Sequence, residues 1–125
     1  MKILLIDDDR VVRETLTRIL EAGGYEVVSA ADGRSGMLVF RDQRPDLVVT
    51  DIVMPGQEGI ETIRLMRAER PGARLIAMSG DVPDETFNIL TIAQQLGADA
   101  AIRKPVNPRE LLALVRRHTG THELG

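Results

Sequence analysis

Three aspartates, a serine and a lysine stand where apolar runs of this chain end. Asp7 and Asp8 follow Ile3-Leu4-Leu5-Ile6, and Asp51 closes Leu47-Val48-Val49-Thr50-Asp51. Ser79 follows Leu75-Ile76-Ala77-Met78, and Lys104 follows Ala100-Ala101-Ile102-Arg103. If these runs are parallel strands, their carboxyl ends share one edge of one sheet, and the five polar side chains converge there. Carboxylates, a hydroxyl and an ammonium brought together suit a divalent metal and a phosphoryl group.

Each residue also has an ordinary reading. An Asp-Asp pair at a strand end is often one helix cap and one solvated carboxylate. A hard cation such as Mg²⁺ wants an octahedron of oxygens and takes only one or two carboxylates directly. Asp8 and Asp51 are the candidates for direct ligands, with Asp7 holding a bound water. Asp9 adjoins Arg10-Val11-Val12 and is the better cap. Asp51 alone is a turn residue before Met54-Pro55-Gly56-Gln57-Glu58-Gly59; as a nucleophile its carboxylate attacks phosphorus and forms an aspartyl phosphate. Metal and cation must then offset the repulsion between that carboxylate and the incoming anion. Carboxylates packed this closely raise one another's pKa unless a metal or Lys104 compensates. Ser79-Gly80 is a common turn by itself, and most lysines are solvated. Beside a phosphoryl group, however, Ser79 donates a hydrogen bond and Lys104 pairs with the anion. Pro105 fixes the turn after Lys104, and X-Pro is the bond at which a cis form is accessible. The set is more specific than any member, because Asp51, Ser79 and Lys104 are each separated by about one βα unit of roughly 30 residues.

Positioning these groups falls to alternating strand-like and helix-like stretches. Val12, Leu16, Ile19 and Leu20 have helical spacing, and Gly23-Gly24 ends that helix. Tyr25 to Ser29 reads as a strand. Asp32-Gly33 turns into a helix carrying Gly36, Met37 and Phe40, which Pro45 closes. Ile60, Ile63 and Arg67 share one side of the next helix, which stops before Pro71-Gly72. A further helix is expected from Pro83, where Asp84-Glu85 favour its positive end, to Gly97. Ala98 to Ile102 is the last strand. Pro108 opens the last helix, with Leu111, Leu112 and Val115 inward and Arg116-Arg117 near its negative end. Such βα alternation with nearly continuous apolar strands predicts an α/β fold, a doubly wound parallel sheet with helices on both faces. In such sheets the site lies outside the strand carboxyl ends at the switch point.

The chain has 125 residues, enough for one domain with a single core. We expect a domain over 1–119 and a C-terminal tail over 120–125, fraying from His118. A net charge of −3 gives no reason to expect nucleic-acid binding, and 2% aromatic content argues against stacking on bases or sugars. Zero cysteines exclude disulfide and thiolate chemistry. No stretch approaches a signal-peptide core or the roughly 20 apolar residues of a membrane helix. A cytoplasmic protein without membrane contact is expected.

Ile3-Leu4-Leu5-Ile6-Asp7-Asp8-Asp9, Asp51-Ile52-Val53-Met54-Pro55 with Gly59, Met78-Ser79-Gly80, and Gly97-Ala98 leading to Lys104-Pro105 are together highly specific. On these motifs the chain resembles, from end to end, the receiver domain of two-component response regulators. The resemblance implies a flavodoxin-like fold of five parallel strands and five helices. It implies Asp51 as phosphoacceptor from a histidine kinase or phosphotransfer protein. It also implies Mg²⁺ on Asp8 and Asp51, with Asp7 in support and the Val53 backbone carbonyl as a further ligand. Ser79 would bind the phosphoryl group and move toward it, and Lys104 would pair with it. Val53 and Asp81 flank the site and are expected to tune hydrolysis.

Two positions depart from the family pattern. Ala101 stands where many receivers have a Tyr or Phe that rotates inward on activation, and Val106 stands where Phe is common after Lys-Pro. The usual serine–aromatic coupling is therefore not assigned. Signalling through the loop after Ser79 and the Phe87 to Leu96 helix is expected instead. The output face would include Arg103, Arg109 and the 84–96 helix. No output domain is visible after the last helix, which fits a stand-alone receiver or one cut from a longer protein. A phosphorylation-controlled binding module rather than an enzyme is the leading reading. A haloacid-dehalogenase-like phosphohydrolase would use Asp7 as nucleophile and Asp9 as acid–base, but the chain lacks the late acidic pair and cap insertion that chemistry needs. A pseudo-receiver that ignores phosphorylation is disfavoured by the intact Asp8, Asp51, Ser79 and Lys104. A nucleotide-binding domain is disfavoured because neither a G-x-G-x-x-G nor a P-loop occurs.

Overall fold

The computed structural model describes residues 1–52, 58–79, 95 and 97–119. The Val53 carbonyl, the turn through Gln57, Gly80, Asp81, the helix expected between Pro83 and Gly97, and the tail over 120–125 lie outside the described residues. The strands are β1 (Lys2–Ile6), β2 (Glu26–Ala30), β3 (Leu47–Asp51), β4 (Arg74–Ser79) and β5 (Ala100–Arg103). All pair in parallel in the order β2-β1-β3-β4-β5. The described helices are α1 (Arg10–Ala22), α2 (Gly33–Gln43), α3 (Glu58–Glu69) and α4 (Pro108–Thr119). None of them is long and apolar enough to cross a membrane.

The central strands read as unbroken apolar runs because both faces are covered. Strand side chains alternate between faces. Leu4, Ile6, Val48 and Leu75 point to one side, where Met37 and Phe40 of α2 and Ile63 and Met66 of α3 pack on them. Ile3, Leu5, Val49 and Ile76 point to the other, against Leu16 and Leu20 of α1 and Leu111 and Val115 of α4. β2 lies at an edge, so its exposed Glu26 and Ser29 are tolerated.

Helix ends follow local chemistry. Asp9 caps α1, its Oδ1 accepting from the N–H groups of Val11 (2.9 Å) and Val12 (3.3 Å). Gly24 leaves that helix at φ +96°, a conformation L side chains rarely adopt. Asp32 caps α2 through Ser35 N–H at 2.7 Å, and this hydrogen bond holds the Asp32 carboxyl below its ordinary range. α2 ends at Arg44, in the left-handed region at φ 47° just before Pro45. Asn107 caps α4, accepting from Arg109 and Glu110 N–H, with Pro108 in the first turn where no N–H is needed.

Several sequence-based boundaries shift. Tyr25 is not in β2, because its N–H bonds back to the Leu20 carbonyl as part of the α1 exit. Ala98 and Asp99 precede β5; Asp99 instead brackets Leu75, its N–H donating to the Leu75 carbonyl and its carboxylate accepting from the Leu75 N–H. Asp51 and Ser79 are the last residues of their strands, and Ser79 pairs with Arg103. Leu112 is only half-buried. His118 and Thr119 form the final turn of α4 rather than a frayed end, with His118 Nδ1 lying 2.9 Å from the Leu114 carbonyl.

Asp9→Ala removes the cap without touching the core. It is expected to lower stability by about 1 kcal/mol in urea denaturation. An unchanged unfolding midpoint would show that the cap contributes nothing.

Candidate functional site

The chain steps outward from β1 to β2 and then returns to place β3 on the other side of β1, so the switch point lies between β1 and β3. Asp7 follows β1, Asp51 ends β3, and the two strands are paired neighbours. Their carboxyl ends therefore deliver two carboxylates side by side, and Asp8 adds a third from the exposed rim. One carboxylate oxygen from each of Asp7, Asp8 and Asp51 lies within 4.8 Å of the others.

Asp7 is wholly buried and Asp51 is 3% exposed. Buried carboxylates require a cation and hydrogen bonds. Lys104 Nζ supplies both, donating to Asp7 Oδ2 at 2.7 Å and to Asp51 Oδ2 at 2.8 Å. Burial pulls the Lys104 ammonium down, but its hydrogen bonds and attraction to Asp51 and Asp7 win and hold its pKa above the ordinary value. The second Asp7 oxygen accepts the Asp9 N–H at 2.9 Å, which couples this carboxylate to the capped start of α1. Sequence reasoning missed Arg13, whose Nη1 donates to the Asp7 carbonyl at 2.7 Å. The available signal was its place one helical turn after Asp9.

Ser79 and Lys104 are held together by the backbone: the Lys104 N–H donates to the Ser79 carbonyl at 2.9 Å, and the Lys104–Pro105 bond is cis. Ser79 is 1% exposed, and its Oγ has no hydrogen-bond partner among the described residues. A buried hydroxyl left unsatisfied needs an explanation. Ala101 is half-buried and packs on the core side that α2 and α3 cover.

The acidic cluster fits a hard divalent cation. All its donors are oxygens, and their spread allows two carboxylates to bind directly at roughly 2.1 Å while a third acts through water. Asp7, Asp8, Asp51, Ser79 and Lys104 all reach the same edge of the sheet, as the spacing required.

Comparison with known proteins identifies the family. Residues 3–116 match the family described as response regulator receiver domain. The DNA-binding response regulator MtrA of Mycolicibacterium paratuberculosis is 35% identical, over 92% of this chain and 49% of that protein. The probable transcriptional regulator ycf27 of Porphyridium aerugineum is 40% identical, over 92% of this chain and 46% of its own length. The chain thus spans about half the length of these curated relatives. The crystal structure of a CheY-like response regulator receiver domain protein from Methanospirillum hungatei superposes with a TM-score of 0.84 at 34% identity, covering 99% of this chain and 98% of that one. With parallel strands in the order β2-β1-β3-β4-β5 and the acidic cluster at their switch point, the chain belongs to the response regulator receiver domain family, the signalling modules of two-component systems.

Proposed function

We propose that Asp51 is the phosphoacceptor and that Asp7, Asp8 and Asp51, with the Val53 backbone carbonyl, hold Mg²⁺. The observation that carries this reading is the buried Ser79 hydroxyl without a partner, at the same edge as an Asp51 carboxylate bridged by Lys104. A phosphoryl group on Asp51 gives that hydroxyl an acceptor. In the transfer, an Asp51 carboxylate oxygen attacks phosphorus, a P–O bond forms, and the P–N bond of a donor phosphohistidine breaks with the imidazole leaving. Lys104 orients the Asp51 carboxylate beforehand and pairs with a phosphoryl oxygen afterwards; Ser79 Oγ donates to another. Bound there, Mg²⁺ supplies positive charge against the repulsion between carboxylate and phosphoryl oxygens.

The donor in this reading is a histidine kinase or a phosphotransfer protein. The output is control of a partner protein or of a domain beyond this chain; the DNA binding named for MtrA belongs to that protein. The domain is read as 1–119 with a tail over 120–125, and its location as cytoplasmic. The hydrolase reading loses its residues: both Asp7 oxygens are engaged, and Asp9 Oδ1 is committed to the cap.

Incubation with acetyl phosphate and Mg²⁺, followed by intact mass, is expected to add one phosphoryl group to the wild type and none to Asp51→Asn. Stoichiometric labelling of the Asn variant would refute the assignment. The Lys104 bridge has its own signature. Lys104→Met leaves Asp7 and Asp51 without their cation and is expected to lose about 3 kcal/mol of stability in metal-free buffer. Mg²⁺ that binds the folded cluster should narrow that deficit by mass action. A deficit unaffected by millimolar Mg²⁺ would count against the metal site.

A further inference from the structure

Among the described residues, four large apolar side chains are exposed, and two of them, Leu38 (61%) and Leu65 (47%), line one groove between α2 and α3. Scattered exposed leucines need no explanation, but two sharing a hollow form a patch. The groove has a volume of about 420 Å³ and is floored by Met37. On α2 the residues Arg34, Leu38 and Arg41 follow the helical repeat, so one stripe presents a leucine between two guanidinium groups. Arg41 also lines a second hollow of about 220 Å³, together with Phe40, Arg44 and Arg70. Arg70 lies 4.2 Å over the Phe40 ring, so its position is set by packing.

The charge of this surface opposes that of the chain. The two hollows are lined by four arginines and two glutamates, in a molecule whose net charge is −3. Glu69 is taken by Arg41, whose Nε donates to both its oxygens at 2.9 and 3.1 Å. Arg34, Arg44 and Arg70 form no salt bridge among the described residues. The Arg70 Nη2 is buried and has no hydrogen-bond partner among the described residues. A groove between two helices that presents Met37, Leu38 and Leu65, with the Arg34 and Arg44 guanidinium groups at its margins, has the form of a helix-in-groove receptor. Over the length of α2 it accommodates roughly three turns of helix.

We propose that the α2–α3 groove docks an acidic amphipathic helix of a partner protein. The apolar stripe of that helix packs on Leu38 and Leu65, and its carboxylates meet Arg34 and Arg44. This surface is separate from the acidic cluster, and the proposal does not rest on phosphorylation of Asp51.

The test is an NMR titration of the ¹⁵N-labelled chain with a synthetic amphipathic helical peptide carrying leucines on one face and glutamates beside them. A counterpart with lysine in place of glutamate is titrated in parallel. Amide shifts confined to 33–43 and 60–69 are expected, with the acidic peptide binding at least roughly tenfold tighter than the basic one and weakening as salt rises. Leu38→Ser combined with Leu65→Ser should abolish binding, and Arg34→Glu should weaken it; all three sites are exposed, so the fold should survive, as unchanged shifts elsewhere would verify. Equal binding of the two peptides, shifts mapping elsewhere, or indifference to the leucine substitutions would overturn the proposal. Self-association of the chain alone that the leucine substitutions abolish would assign the groove to a second copy and overturn it. Binding to phosphatidylglycerol vesicles, lost in Arg34→Glu while the acidic peptide fails to bind, would assign it to a membrane surface and equally overturn it.

Discussion

The contact on which the site depends is Lys104 Nζ bridging Asp7 and Asp51. Two carboxylates with almost no solvent exposure are costly without it, since each buried charge needs a counter-charge and hydrogen bonds. The bridge is long-range. Asp7 follows β1, Asp51 ends β3, and Lys104 follows β5, which pairs with β4 and not with either of the others. The ammonium therefore reaches across the end of β4, and the sheet must hold its order and register for the three groups to meet. Removing the lysine leaves charge buried without compensation, and moving it requires something else to take its place.

The packing beneath is arranged to hold that edge still. β1 and β3 have no exposed side chain beyond Lys2, which is only half-buried. Side chains on both faces interlock with helices, so neither strand can slip without turning its apolar set outward. Gly36 lets α2 lie close on β1, since a Cβ there would collide with Ile6 Cδ1, one residue before Asp7. Asp7 is fixed from the other side by the Asp9 N–H and by Arg13. At the far side of the sheet, Arg67 of α3 donates to the carbonyls of Pro71, Ala73 and Gly97 and to Asp99, tying the end of α3 to the entries of β4 and β5.

What could be read from the sequence was what local chemistry decides. The Asp9 cap and the Pro108 start depend on neighbours a few residues away, and unbroken apolar runs reveal strands buried on both faces. The convergence of Asp7, Asp51, Ser79 and Lys104 followed from strand ends alone once the strands were taken as parallel. Strand limits were less legible, because long-range hydrogen bonds decide them: Tyr25 is claimed by Leu20, and Asp99 by Leu75. Arg67 was legible only as a member of a helix face. Its guanidinium group serves carbonyls up to thirty residues away, which no periodicity encodes.

On the proposed reading, a single ammonium has more to do after phosphorylation than before. Lys104 spans Asp7 and Asp51 in the present arrangement, and a phosphoryl group on Asp51 adds anionic oxygens competing for the same three protons. The Ser79 hydroxyl is the remaining donor at that edge without a partner among the described residues. Any adjustment of either group acts on a shared backbone unit, because Ser79 pairs with Arg103 and its carbonyl accepts the Lys104 N–H. The ends of β4 and β5 therefore respond together, and the segment from Lys104 to Pro108 leads directly into α4. Ala101 carries no ring to swing into space vacated by Ser79. On that reading, phosphorylation would act through a hydrogen-bonded strand end shared by β4 and β5.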